Sequence, residues 1–407
     1  MTNPKLRFKK PDGTAYPDWE EKRLGECFTE RVERSKGNEE LLSVSINNGV
    51  TRQSEGAKRD ASSEDKKNYK VVHVGDIAYN TMRMWQGAEG RSPFDGIVSP
   101  AYTIVVPVKG VADSCFFEQF FKNGRMIKTF ERHSQGLTSD TWNLKFDAFS
   151  KIKVKVPSIE EQGRVVEGLA SVDEKIEAQE QYVAALETQK KELLRQVFTR
   201  EIRFKDENGQ DYPEWATHRL GELCSKIGSG KTPKGGKQVY ADNGVIFIRS
   251  QNVLNSELDL TDVTFISDEI NSTMLGTMLE YNDVLLNITG ASIGRCCLYN
   301  KHDRANVNQH VCIIRLRDKS LFVPKFVEQQ MISDYIQDQL WNCQNGGSRE
   351  GLNFQQIADF TFWVPSLPEQ QRIADFFTAL DAQIENERAL LEDWRQLKKG
   401  LLQQMFI

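Results

Sequence analysis

The sequence predicts an α+β fold. Two mixed α/β modules are separated by two long helices that pair as an antiparallel coiled coil, and the whole is an internal pseudo-twofold duplication. Two observations carry this reading. The first is repetition. Leu6–Glu26 (LRFKKPDGTAYPDWEEKRLGE) returns 196 residues later as Ile202–Glu222 (IRFKDENGQDYPEWATHRLGE), with eleven of twenty-one positions identical. Val156–Phe198 returns 208 residues later as Val364–Phe406 without a gap. The second is an apolar period of 3.5 residues within that later repeat, the mark of a coiled-coil seam. Ends that repeat while middles diverge describe one scaffold carrying two different sets of loops.

The expected division is residues 1–157 for the first module, 158–200 for the first long helix, 201–365 for the second module and 366–407 for the second helix. The modules echo each other weakly. Gly75–Asn80 aligns with Asn282–Asn287, Val98–Val105 with Val307–Ile314, Phe116–Gln119 with Phe326–Gln329, and Trp142–Leu144 with Leu352–Phe354. The shared positions are apolar strand and helix residues, whereas the loops between them differ in length and chemistry, as expected where one fold carries independently varied loops.

Each long helix follows a Val-Pro-Ser triplet (156–158 and 364–366). There a strand ends, a proline stops the ladder and the serine is placed to cap. The first seam runs through Val165, Leu169, Val172, Ile176, Val183, Leu186 and Leu193, with polar breaks at Gln179 and Lys190. The second runs through Ile373, Phe377, Leu380, Ile384, Leu391, Trp394 and Leu401, with its breaks at Glu387 and Lys398. Roughly 38 residues at about 1.5 Å rise give a rod of about 55–60 Å. A homodimeric coiled coil is the competing arrangement. Two matching helices in one chain favour pairing within it, and Lys190 and Lys398 would meet badly in parallel register.

The chain has 407 residues, enough for two or more cores. No apolar run reaches the roughly 18 residues of a membrane span, and the first residues carry no apolar stretch of a signal peptide. Seven cysteines, an odd number with no CxxC, read as reduced thiols and point to the cytoplasm. The net charge of −5 is unevenly spread. Residues 158–198 hold nine acids against five bases and 366–407 seven against five, so the rest of the chain lies near neutrality. Near-neutral modules with local basic loops are compatible with nucleic acid, while the acidic helices are not expected to touch it.

Catalytic patterns fail one by one. Ser225–Thr232 (SKIGSGKT) imitates the end of a phosphate-binding loop, but the leading glycine is a serine and Pro233, Gly235 and Gly236 forbid the helix that would follow. There is no GxGxxG followed by an acid, no HExxH, no GxSxG and no asparagine-proline-proline-aromatic motif. Five scattered histidines suggest no metal site. What remains are loop clusters of Arg, Lys, Asn, Gln, Ser, Thr and aromatics, the types that read base edges and hold phosphates. In the first module the candidates are Ser45, Asn47, Asn48, Arg52, Asn80, Arg83, Trp85, Gln86, Ser99, Tyr102, Thr138, Ser139 and Trp142. In the second they are Ser229, Lys231, Thr232, Lys234, Arg249, Gln251, Asn252, Thr289, Ser292, Arg295, Asn308, Gln309, His310, Ser348 and Arg349. Each alone also suits a solvated loop. The clusters carry the reading.

In full length the chain resembles the specificity subunit of type I restriction–modification enzymes, HsdS. The resemblance rests on the twin Arg-Leu-Gly-Glu lead-ins (23–26 and 219–222), Gly96–Tyr102 (GIVSPAY), Ser229–Pro233 (SGKTP), Asn287–Gly294 (NITGASIG) and the twin Val-Pro-Ser-(Ile/Leu)-x-Glu-Gln segments. It implies two target recognition domains, each reading half of a bipartite, asymmetric double-stranded DNA site, with the paired helices as a ruler. It also implies docking of two HsdM methyltransferase subunits, which bind S-adenosylmethionine and methylate adenine at N6. HsdR restriction subunits, which use ATP and magnesium, then join. This chain would hold no cofactor and no metal. The competing reading is a non-catalytic coiled-coil adaptor without DNA binding. A system that methylates without restricting stays open as well.

Overall fold

The computed structural model describes residues 4–55, 66–318, 320–345 and 351–406. The chain divides into two compact units, Met1–Gln179 with Leu390–Ile407, and Glu180–Ala389. Each unit therefore contains one module and one half of each long helix.

Each module opens on its repeated lead-in. Strand Glu20–Arg23 pairs antiparallel with Lys153–Val156, and Ala216–Arg219 pairs the same way with Thr361–Val364. The Arg-Leu-Gly-Glu turn that follows is built for packing. Leu24 and Leu220 are fully buried. The Glu26 carboxylate accepts the Arg23 N–H at 2.6 Å and Glu222 accepts that of Arg219 at 3.3 Å, the reciprocal half of a helix-start cap. A Cβ on Gly25 would stand 2.9 Å from Ser150 Cβ, and one on Gly221 would stand 3.0 Å from Ala358 Cβ, so this close approach selects glycine.

The central sheet is the same in both units, four antiparallel strands. Its order is Phe28–Glu30, Tyr102–Pro107, Ile77–Asn80, Glu89–Arg91 in the first and Cys224–Ser229, Val311–Leu316, Asp283–Asn287, Cys296–Tyr299 in the second. Gly75 and Asn282 both take positive φ (92° and 72°) in the turn into the third strand. The next residue, Asp76 or Asp283, is buried and holds an arginine two-pronged, Arg31 in one unit and Arg315 in the other. Beyond this sheet the modules part. The first adds a hairpin, Leu42–Ser45 with Gly49–Arg52, and the pair Lys70–Val72 with Gly96–Val98. The second adds a three-stranded sheet in which Val245–Ile248 pairs parallel with Ala305–Val307 and antiparallel with Thr264–Ile266.

One sequence alignment needs correction. Leu144 N–H donates to the carbonyl of Thr81, and Leu352 N–H to that of Ile288. Thr81 and Ile288 each follow the equivalent asparagine, Asn80 or Asn287. Leu144-Lys-Phe146 therefore corresponds to Leu352-Asn-Phe354, two residues from the pairing suggested by the shared asparagine.

The long helices are Ile159–Phe198 and Leu367–Met405. Ser158 Oγ accepts the Glu161 N–H at 3.4 Å, as expected of a cap. Ser366 Oγ is buried with no partner among the described residues, so the second helix start lacks this cap. The Glu-Gln of each repeat fixes the helix start instead. Gln162 Nε2 donates to the carbonyls of Val111 and Pro157 while its Oε1 accepts Asp113 N–H. Gln370 repeats this with Leu321, Pro365 and Val323. Glu161 and Glu369 are fully buried and take Arg7 and Arg203 from the lead-ins, at 2.7 and 3.2 Å.

In the second unit Lys190 pairs with Asp381 at 2.5 Å and Glu187 with Arg388 at 2.6 Å, so the helices run antiparallel. In the first unit Lys398 pairs with Asp173 at 2.5 Å. Both partners of this bridge stand 208 residues from those of the first, and each seam lysine meets an aspartate of the facing helix. The seam residues are buried or half-buried along both helices, with one shift. Leu194 is more deeply buried than Leu193, since at its end the helix turns its face to the module core.

The last helical turns complete the cores. Val197 and Phe198 enter the core of the second unit, with Phe198 5.7 Å from Phe326. Met405 and Phe406 enter that of the first, with Phe406 5.4 Å from Phe116. Ile202 N–H reaches the carbonyl of Gln196 through a short turn in which Arg200 has φ 63°. Leu6 N–H makes the matching bond to Gln404 between the two ends of the chain.

Replacing Arg7 by methionine should strand the buried Glu161 charge and cost about 3–5 kcal/mol, and adding Glu161→Gln should restore much of it. Chemical denaturation of the single and double variants measures both. Glu89, opposite Tyr79 in the sheet, is fully buried, and neither carboxylate oxygen has a partner among the described residues. Burial pushes its pKa well above the usual carboxylate range. The folded state therefore holds this proton more tightly than the unfolded one. The cost to stability is absent below the unfolded value of about 4.3 and grows as pH rises toward the folded one. Glu89→Met should gain about 1–3 kcal/mol at pH 7 and progressively less toward pH 4, read from denaturation midpoints. A gain independent of pH would contradict this.

Candidate nucleic-acid interface

The same end of the sheet gathers the variable loops in each module. Strand Ile77–Asn80 ends and Thr81 N–H bonds to Ala101, whose turn Ser99–Tyr102 is closed by Tyr102 N–H on the Ser99 carbonyl. In the second unit Ile288 N–H bonds to His310 and Val311 N–H closes on Asn308. The chain returns to the same edge at Leu144 or Leu352. Three loops thus converge on one rim, held by backbone bonds that do not depend on loop sequence.

In the first unit Asn80 Oδ1 accepts Met82 N–H at 3.0 Å and shapes the loop carrying Arg83, Trp85 and Gln86. Trp85 Nε1 donates to Met82 O, and its ring stands edge-on to Trp142 at 5.3 Å, joining two of the predicted clusters. Arg83 and Gln86 are exposed, and Ser99 and Tyr102 are half-buried in their turn. Thr138 is exposed, with its hydroxyl 3.4 Å from Thr141 Oγ1. Ser45, Asn47 and Asn48 form the tip of the separate hairpin, where Ser45 Oγ accepts Asn48 N–H at 3.1 Å. Arg52 is committed elsewhere. It lies 4.2 Å over the Phe94 ring and pairs with Glu40 and Glu55.

In the second unit His310 Nδ1 lies 2.6 Å from Thr289 Oγ1, and Thr289 bridges to Gly351. Gln309 is exposed beside it, while Asn308 is buried and uses Oδ1 to accept His310 N–H. Ser292 and exposed Arg295 complete the Thr289 loop. Ser229 is half-buried, and Lys231, Thr232 and Lys234 are exposed. A Cβ on Gly230 would fall 1.6 Å from the Val307 carbonyl oxygen. The glycine of the Ser-Gly-Lys-Thr-Pro segment thus brings its loop against the rim rather than around a phosphate. Arg249 and Gln251 both reach Asp262, at 3.1 Å to its carbonyl and 2.8 Å to its carboxylate, leaving Arg249 Nε buried without a partner among the described residues. Asn252 is corrected to a structural role. It is buried, its Oδ1 takes Arg249 N–H, and its amide nitrogen donates to Asp259 and Asp262. Ser348 and Arg349 lie outside the described residues, as does the side chain of Ser139.

Residues missed by sequence reasoning stand on the helix beside the first rim. Gly124–His133 packs Ile127 toward Gly87 of the Trp85 loop. Lys128 and Arg132 line a groove of about 450 Å³ with Glu131, Ser134 and Trp142. The signal was present as Arg125, Lys128 and Arg132 on one helical stripe opposite buried Met126 and Phe130, but such a stripe also reads as a solvated face. Among the described residues no group of three His, Cys, Asp or Glu side chains is placed to hold a metal ion, and no helix is long and apolar enough to cross a membrane. Gly230→Ala should cost the second unit about 3 kcal/mol, seen as faster amide hydrogen exchange in Val245–Ile248 and Ala305–Val307 with the first unit unchanged.

Comparison with known proteins bears on this geometry. The family model of the type I restriction modification DNA specificity domain matches residues 17–188 and again 212–393. The MjaVIII type I restriction enzyme specificity subunit of Methanocaldococcus jannaschii is 23% identical over 345 residues, covering 82% of this chain and 78% of that one. The EcoBI specificity subunit of Escherichia coli is 28% identical over 131 residues, covering 32% and 27%. Among solved structures, one from a study of complex assembly and conformational transition of the type I R-M system superposes with TM-score 0.60 at 16% identity, covering 96% of this chain and 98% of that one. The S subunit from M. genitalium gives 0.54 at 13%, covering 100% and 99%, and the HsdS subunit from Thermoanaerobacter tengcongensis gives 0.52 at 17%, covering 98% of each. With two copies of the domain spanning most of its length, the chain belongs to the type I restriction–modification specificity subunits, the non-catalytic DNA-recognition component of these systems.

Proposed function

We propose that this chain reads a bipartite, asymmetric double-stranded DNA site, one half with each rim, and that half-site spacing is set by the long helices. The observation that carries this is the contrast within each module. The scaffold of the rim is built by matching backbone bonds, while the residues presented there differ: Arg83, Trp85, Gln86 and Trp142 in one, Thr289, Arg295, Gln309 and His310 in the other. Equal scaffolds with unequal chemistry recognise unequal sequences.

The chain itself supplies no cofactor. Two methyltransferase subunits of the HsdM kind would dock on it, bring S-adenosylmethionine and methylate adenine at N6. Restriction subunits of the HsdR kind would add ATP- and magnesium-dependent cleavage, all in the cytoplasm.

The test is methylation mapping of DNA from cells that hold this chain with its methyltransferase subunit. One interrupted, asymmetric adenine motif is expected, and absence of methylation from an assembled complex would reject the reading. Arg83→Gln should relax one half of the motif alone and Arg295→Gln the other, each base contact being worth about 1–3 kcal/mol of discrimination.

A further inference from the structure

We propose that Arg125, Lys128 and Arg132 form a phosphate-binding strip, beside Trp142, which the first module lays along the DNA backbone and which the second module lacks. This rests on the reading of the chain as a DNA-recognition subunit and assigns an electrostatic asymmetry to it.

The three cations fall at i, i+3 and i+7 of helix Gly124–His133 and are exposed. None has an ion-pair partner among the described residues, whereas Lys122, Lys151 and Lys153 of the same module are paired. Seven residues at about 1.5 Å rise span about 10 Å, the axial length of about three phosphates of one strand at 3.4 Å each. The strip also adjoins the recognition rim. Lys128 and Arg132 share their groove with Trp142, which contacts Trp85 of the rim loop.

The second unit supplies the internal comparison. Its helix Asp334–Asn345 occupies the same place after the preceding helix, with Ile336 and Leu340 buried where Met126 and Phe130 are buried. At the positions of Arg125, Lys128 and Arg132 it carries Tyr335, Asp338 and Asn342, and it has no lysine or arginine at all. Its cations without an ion pair among the described residues include Lys231, Lys234 and Arg295, which lie on loops. A helix that only needed a solvated face would do as well with either set. A cationic strip next to one reading rim and a neutral-to-acidic one next to the other gives the first module the larger share of sequence-independent, salt-dependent affinity.

The experiment uses the full chain assembled with its methyltransferase subunit and a fluorescent random-sequence duplex of about 30 base pairs. Binding is followed by anisotropy across salt concentrations. The double variant K128Q/R132Q should lower the slope of log K against log salt by about 2, since each neutralised phosphate contributes about 0.9. It should weaken random and site-bearing duplexes by the same factor. K151Q/K153Q, which removes equal charge elsewhere on the module, should leave the slope in place. An unchanged slope in K128Q/R132Q, with tight binding by the unmodified complex, would overturn the strip and leave the DNA reading standing. A loss confined to site-bearing DNA would overturn it too, marking these residues as base readers. Failure of the unmodified complex to bind any duplex would overturn both.

Discussion

Everything else in this molecule depends on burying the last turn of each long helix in an aromatic core. Phe198 and Phe406 are about 1% exposed, and each closes a core that its module cannot complete alone. Burying one such side chain stabilises by about 1.5–3 kcal/mol. The geometric consequence matters more than the energy. Each core takes the end of a long helix, and within each unit one antiparallel ion pair, Lys190–Asp381 or Lys398–Asp173, sets the register of the two helices. The hydrogen bond from Ile202 to Gln196 is made through a turn, and its twin from Leu6 to Gln404 is made between chain ends. The same bond is thus made once in each unit, with and without a connecting turn.

The parts of the fold that the sequence revealed are those fixed by short-range rules acting twice. The seam showed through its 3.5-residue period, and the Arg-Leu-Gly-Glu turn through its repetition. Other features were hidden because their cause lies far away in the chain. Nothing local says that Gly230 must be bare: the reason is the Val307 carbonyl, seventy-seven residues on. Asn252 looked like a base reader by residue type, yet its amide nitrogen donates to the carbonyls of Asp259 and Asp262 and its Oδ1 accepts the Arg249 N–H. The two-residue misalignment at Trp142 arose because a shared asparagine outweighed the backbone bonds of Leu144 and Leu352, which no pattern records.

In the site the rim was legible and its flank was not. Loop clusters rich in Asn, Gln, Arg and Trp stand out against apolar strands, so the sequence singles out Arg83, Trp85, Thr289 and His310 as candidates, and the structure gathers these candidates by module. Lys128 and Arg132 escaped because a charged stripe on an amphipathic helix is the ordinary outcome of solubility. The groove shared with Trp142, and the absence of positive charge in the matching helix, set those charges apart. Arg52 is a candidate of another kind. Its cation is spent on Phe94, Glu40 and Glu55, which a list of residue types cannot reveal.

The division of labour between repeated and unrepeated residues follows from these energetics. The repeated Arg7–Glu161 and Arg203–Glu369 pairs each engage a fully buried glutamate, and the Gln162 and Gln370 clamps are buried with both ends of the amide used. Losing one partner strands a charge or an amide in a low-dielectric setting, which is costly. Such positions have little freedom to vary in either copy. The rim loops are anchored to the sheet by backbone bonds: Thr81 to Ala101 and Ile288 to His310 form with any side chain but proline at the donor. Their side chains can therefore differ at almost no cost to the fold. A scaffold built this way tolerates new loops in one module without disturbing the other, and it is the physical basis for two readers of different sequence within one chain.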